Sequence, residues 1–386
     1  MPRLLSRLAP PLIALLLAFA AHAQTTYDVV PLPARLGDGI YGDAALNNRG
    51  SVIADSGEYP TSNGYLWKNG RVIPLPSLGG TFTVTHGLSE LDHVVGLSCQ
   101  QDDLSPHAAL WRDGQVIEIE PPGSFDSGAL RINRFDEVAV FSDGPSATSA
   151  YKWSNGSFTF LGDLGGSVTY PFGINDAGDV VGQAAISNVP DPRFHIPPNH
   201  GFLWHAGTMT DLGSIFGADF NGAFYIDNAG RIIGIADLAG DQAAHGFLWI
   251  GGRITDLRPL APRDVVSWAF SMNKAGQIVG SSGLLREHIG PPYDFMRCPC
   301  HAVLWENAQP IDLNTRVAAK WNLDFATAIN DKGEILAHTM KPFSAPVLLI
   351  PQQGNHPVVR TLRKTEPYIG PRQLRRDSSN RIAEVW

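Results

Sequence analysis

The sequence predicts an all-β fold, a β-propeller of four-stranded blades. An apolar triplet ending in Trp recurs at intervals of 42 to 56 residues, an Asn-x-x-Gly motif or a degenerate copy of it precedes each triplet, and no interval leaves room for a three-turn helix. Four short strands in a period of about 45 residues match a propeller blade, whereas a solenoid repeat usually holds fewer strands. Composition agrees with this reading. The 386 residues include 40 Gly and 29 Pro, which implies many turns, and the 44% hydrophobic content is enough for a packed core. A formal net charge of −8 argues against general nucleic-acid binding.

Residues 1–23 have the form of an address rather than of fold. Arg3 and Arg7 precede the apolar run Leu12–Ala20, which is too short to span a bilayer, and Ala21-His22-Ala23 offers a small-x-small cleavage site before Gln24. This is the pattern of a bacterial secretory signal peptide. Its removal takes the formal charge from −8 to −10, because Arg3 and Arg7 are lost and no acidic residue goes with them. No Cys stands at the cleavage point and no other run is long enough for a membrane helix. The mature chain, 24–386, is expected as one periplasmic or extracellular domain.

Each unit then resolves into four strands. The first ends in the turn motif: Asn47-Asn48-Arg49-Gly50, Asn175-Asp176-Ala177-Gly178, Asp227-Asn228-Ala229-Gly230, Asn273-Lys274-Ala275-Gly276 and Asn330-Asp331-Lys332-Gly333, with degenerate copies at Ser89–Asp92 and Asn133–Asp136. Gly supplies the left-handed turn residue. Runs such as Val180-Val181-Gly182 and Ile232-Ile233-Gly234 form the second strand. The third carries the triplets ending in Trp67, Trp111, Trp153, Trp204, Trp249 and Trp305, with a seventh copy ending in Ile350. Asn-Gly or Asp-Gly turns lead to the fourth strand, which bears Thr-Asp-Leu (Asp211, Asp256) or its shorter form at Asp312. The six Trp are expected to fill the space between blades.

The string His200-Gly201-Phe202-Leu203-Trp204, with Gly173–Gly178 before it and Met209-Thr210-Asp211-Leu212-Gly213 after it, resembles the HAF repeat of extracellular bacterial repeat proteins. The triplet is degenerate at His107-Ala108-Ala109, His245-Gly246-Phe247 and His301-Ala302-Val303. The resemblance spans about Tyr27 to Trp386 and carries no catalytic residues with it. Tyr27–Leu32 reads as a fourth strand without the three before it, and Arg372–Trp386 as first and second strands without a third. Together they suggest an incomplete eighth blade built from both chain ends beside seven complete ones; the alternative is seven blades with a tail.

The expected site lies on the face carrying the loops between second and third strands. Two long insertions occur there, Gln183–Pro198 with Asp191, Arg193 and His195, and Ser281–Pro299 with Arg286, Glu287, His288, Tyr293 and Asp294. These eight residues are the candidate ligand-binding set, and the ligand class is a protein or a glycan. A Cys99 bond to Cys298 or Cys300 is one possible disulfide and a strained Cys298–Cys300 bond another. No metal or cofactor is expected: Cys298-Pro299-Cys300-His301 is short of the usual ligand spacing, and the Asn-Asp-x-Gly turns lack the spaced acids of a calcium loop. The repeated His is expected to bond a neighbouring blade's backbone, and the Asp of Thr-Asp-Leu a local backbone or hydroxyl donor. Neither nucleophile-elbow, phosphate-loop, dinucleotide nor zinc-protease motifs occur. A binding module is therefore favoured over the alternative, a secreted lyase or hydrolase acting at the ring's centre.

Overall fold

The fold comes from a computed structural model of the 386-residue chain, which describes residues 25–33, 36, 45–57, 61–101, 105–192, 195–240, 243–284, 300–339 and 346–352, and the backbone of 375–376 and 382–383. The regular structure among these residues is β throughout, apart from 3-10 turns at Leu36 and at Leu313–Thr315. Four-strand meanders follow one another: 45–74, 79–118, 126–160 and 169–211 form separate sheets, and 221–257 and 266–312 form two more. These last two merge into one eight-stranded sheet through a single parallel pairing, Ala244 with Val266. A further four-stranded sheet takes three strands from 323–351 and its fourth from the other end of the chain.

The composite sheet corrects the expected closure. Tyr27–Pro31 is indeed a fourth strand, but it pairs antiparallel with Pro346–Pro351, Tyr27 opposite Pro351 and Pro31 opposite Val347. It therefore completes the last meander instead of joining Arg372–Trp386. Within that segment, among the described residues, Arg375–Arg376 and Ile382–Ala383 pair with each other. The expected set of separate blades is found in part: five four-stranded sheets stand alone and eight further strands share one sheet.

Register shows why the repeat has its sequence. In the six meanders that carry the Trp, the residue five positions after the turn's Asn position pairs with it: Val52 with Trp67, Val94 with Trp111, Val138 with Trp153, Val180 with Trp204, Ile232 with Trp249 and Ile278 with Trp305. In the composite sheet Ile335 pairs with Leu349, so Leu349 and not Ile350 holds the Trp position. A slip of one residue would have turned that strand's side chains to the opposite face.

Strand two is apolar on both sides because both sides are covered. Val180 packs with Trp204, Ala139 and Leu161 on one side, and Val181 with Ile226, Ala223 and Phe247 on the other. The third residue of that run is Gly because a Cβ at Gly96, Gly182, Gly234 or Gly280 would collide with the first-strand carbonyl of Val84, Tyr170, Gly222 or Trp268. The Trp side chains are unequal. Trp111, Trp204 and Trp305 are buried, whereas Trp67, Trp153 and Trp249 are half-buried. Two of the buried indoles also tie units together: Trp111 Nε1 donates to Pro76 O and Trp305 Nε1 to Arg258 O, each just past the end of the preceding meander.

Candidate functional site

The first strands of successive meanders touch one another, which places them innermost around a common axis. All but Ala45–Leu46 are interrupted by a β-bulge three residues before the turn's Asn position, at His86, Leu130, Phe172, Phe224, Phe270 and Thr327. A bulge adds one residue and re-aims its side chain. Phe172 and Phe224 meet edge-on with ring centroids 5.3 Å apart.

At the turn end of these strands the Asn residues form a closed chain of hydrogen bonds. The side-chain oxygen of Asn175 accepts from Ala177 N and Asp179 N within its own turn. Its Nδ2 donates to Asp227 O of the next meander at 3.2 Å. The same link runs from Asn47 to Ser89 O, Asn133 to Asn175 O, Asn273 to Asn330 O and, across the chain ends, Asn330 to Asn47 O at 3.1 Å. The two copies without an amide are bridged differently. Arg231 reaches Asn273 O in place of the Asp227 side chain, and the His93–Asp136 pair joins the meander of Ser89 to that of Asn133. Gly178 sits in the left-handed region at φ +78°, and in the degenerate turns Asp92 and Asp136 adopt it at +67° and +61°. The residues after the Asn pair among themselves: Asn48 with Glu90 and Asp331, Lys274 with Asp331, Arg134 with Asp176, and Asp176 with Asn228. Hydrogen bonding and charge from Asp331 hold the Lys274 ammonium above its ordinary value. On this face the polar groups are consumed by the ring itself.

The opposite face carries polar groups that are not consumed. His200 Nδ1 meets Asp211 at 2.9 Å, His245 meets Asp256 at 2.9 Å and His301 meets Asp312 at 3.0 Å. The repeated His thus bonds the fourth-strand carboxylate of its own sheet and not, as expected, a neighbouring backbone. The Asp also accepts from local backbone as expected, for example from Gly213 N. The Nε2 of His200 is buried and stands 3.5 Å from Asp219 Oδ1 in the connection to the next meander.

The first strand begins on this face with a buried polar residue that serves the preceding meander: Ser127 accepts from Ala108 N, Asn221 from Gly201 N and Ser267 from Gly246 N. In the composite sheet that residue is Asp324, set in a second bulge, with Oδ1 buried and unpartnered. Burial raises its carboxyl to about 7 against the opposing pull of His301. His338, whose ring stacks on Phe325 at 4.6 Å, is held neutral by burial down to about 4, and its Nε2 is also unpartnered.

Of the eight residues singled out from sequence, Asp191 and His195 are described. They share a small turn in which His195 N donates to Asp191 O and Asp191 N to Ile196 O. His195 is exposed and left-handed at φ +58°. Arg193, Arg286, Glu287, His288, Tyr293 and Asp294 lie outside the described residues. Cys300 is disulfide-bonded and Cys99 is not, which excludes the Cys99 pairing; Cys298, the one other cysteine, lies outside the described residues.

Two arrangements were missed in the sequence. One is an open cleft of about 450 Å³ lined by Tyr27, Asp28, Arg316, Lys320, Trp321 and Gln352, where the N-terminal strand docks and Tyr27 N donates to Arg316 O. The other is His107 with Glu118 and Glu120, in which one Nδ1 contacts both carboxylates. Glu118 and Glu120 alternate along the fourth strand and its end, a pattern legible in sequence once that strand is placed.

A ring of antiparallel four-strand meanders with innermost first strands defines the protein's class: it is a β-propeller. Among solved structures the chain is similar to the β-propeller domain of the Trilobed protease from Pyrococcus furiosus, at 9% identity over 70% of this chain and 80% of that one, with a TM-score of 0.47. It is also similar to YCF48 bound to D1 peptide, at 10% identity over 85% of this chain and 96% of that one, with a TM-score of 0.49. No protein-family model and no curated protein matches the sequence.

Proposed function

We propose that the chain is a secreted binding module of the HAF-repeat kind, a seven-bladed ring in which each half of the eight-stranded sheet counts as one blade. It holds a protein or glycan on the face of the loops between second and third strands. One observation carries this reading: the turn face uses its polar groups on the Asn ring, while the buried unpartnered atoms of Asp324 and His338, on paired strands of the composite sheet, stand toward the loop end of those strands. A buried polar group without a partner is costly, and a ligand that supplies one recovers the loss. The enzyme alternative has weaker support, because Asp191 and His195 are joined through backbone groups, His195 N donating to Asp191 O, and the His195 side chain is exposed.

The test is a glycan array and a peptide array probed with residues 24–386. Binding should fall at least tenfold on deletion of Val189–Pro197 or in Asp324→Asn, and stay unchanged in Lys274→Ala on the turn face. Loss in Lys274→Ala with both loop-face variants intact would reverse the face assignment.

A further inference from the structure

We infer that His107, Glu118 and Glu120 form a binding site for a divalent transition-metal ion of the zinc class. The inference is independent of the ligand reading above. The donor atoms of the three side chains lie within 4.8 Å of one another. In a tetrahedral zinc site with N and O ligands, neighbouring donors stand roughly 3.4 Å apart, so small rotations of these side chains would close the set around an ion.

The sister sheets provide an internal comparison. In three of them the Nδ1 of the same His faces one carboxylate, and the residue two positions on from that acid is Gly213, Arg258 or Asn314. Arg258 and Asn314 there donate to the carboxylate, Arg258 to Asp256 and Asn314 to Asp312. In the 79–118 sheet the shorter Asp is replaced by Glu118, and the neutral or cationic residue by a second acid, Glu120. Two carboxylates now converge on one imidazole nitrogen that can donate a single proton. An ion of charge +2 on that nitrogen and those two oxygens balances the pair. Imidazole with carboxylates suits zinc and its neighbours rather than calcium or magnesium.

The supporting contacts fit. Gln100 Nε2, at the end of the second strand, donates to Glu118 Oε1 at 2.9 Å and orients that carboxylate from across the third strand. The Glu118 side chain is 37% exposed and that of Glu120 21%, so the fourth coordination position is open to water.

The test uses residues 24–386, stripped with EDTA and titrated with zinc chloride by calorimetry at pH 7.5. One equivalent should bind, at least tenfold more weakly in Glu120→Gln and in His107→Gln, and unchanged in His245→Asn. Zinc should raise the Tm of the wild type and not that of Glu120→Gln. Glu120 is partly exposed, so the variant at this position keeps the test valid if His107→Gln does not fold. Absence of stoichiometric binding, or binding that survives in both variants, overturns the assignment.

Discussion

Asn175→Ala removes both roles of a residue that is 4% exposed. Its Oδ1 accepts two backbone N–H groups of its own turn, and its Nδ2 donates to Asp227 O and to Asp179 Oδ2. Four hydrogen bonds at a net value of about 1 kcal/mol each give an expected loss of about 2–4 kcal/mol, reduced toward the lower end where Ala177 N can turn to water. Asn175→Asp keeps the acceptor and loses the donor while adding a charge beside Asp179, for about 1.5–3 kcal/mol. The molecule already contains a solution to this second problem. Asp227 occupies the same place, and Arg231, four residues on, donates to it and to Asn273 O. Asp179 is the residue four positions after Asn175. The double variant Asn175→Asp/Asp179→Arg should therefore recover at least half of the loss. Losing the Asp179 contact to His205 matters little, since that imidazole is 69% exposed. Urea denaturation gives midpoint and slope for the wild type, these three variants and the single Asp179→Arg, and the coupling of positions 175 and 179 follows from the cycle. A loss below about 0.5 kcal/mol in Asn175→Ala, or no recovery in the double variant, would refute the ring as a source of stability.

Other expectations follow from the packing and the buried acids. Asp324, raised in the folded state to about 7, binds a proton there that the unfolded chain releases from about 4, so it makes stability fall as pH rises across that window; Asp324→Asn should remove about 1.4 kcal/mol per pH unit of that fall, and an unchanged slope refutes the burial argument. His338, lowered to about 4, has the opposite sign: stability is lost as pH falls from 6.5 toward 4, and His338→Gln should abolish that loss in the same denaturation series. Trp305→Ala should cost about 3–5 kcal/mol and half-buried Trp67→Ala clearly less, so equal losses would contradict the packing. Gly182→Ala should destabilise by more than the usual glycine effect, because the methyl group meets the Tyr170 carbonyl; a neutral or stabilising result in thermal unfolding would mean that the strands are further apart.

The sequence by itself determined the repeat, the four strands of each meander, the turns and the fourth-strand character of Tyr27–Pro31. These are local properties: a left-handed Gly, an alternation of faces and a short loop all act within a few residues. What Tyr27–Pro31 pairs with depends on which free edge lies nearest when the ring closes, and that was decided by the tertiary structure in favour of Pro346–Pro351. The one-residue displacement of the last triplet to Leu349 has the same origin, since the apolar run Val347–Ile350 fits either register until a covered face selects one. Half of the Asn motif was legible as a turn; its other half, the amide reaching the next meander, joins residues 42 to 283 positions apart. The site divides in the same way. Glu118 and Glu120 are ordinary strand acids in sequence, and only the antiparallel pairing of their strand with that of His107 brings the three groups to one point, because cross-strand distance is set by hydrogen-bonded register and not by separation along the chain.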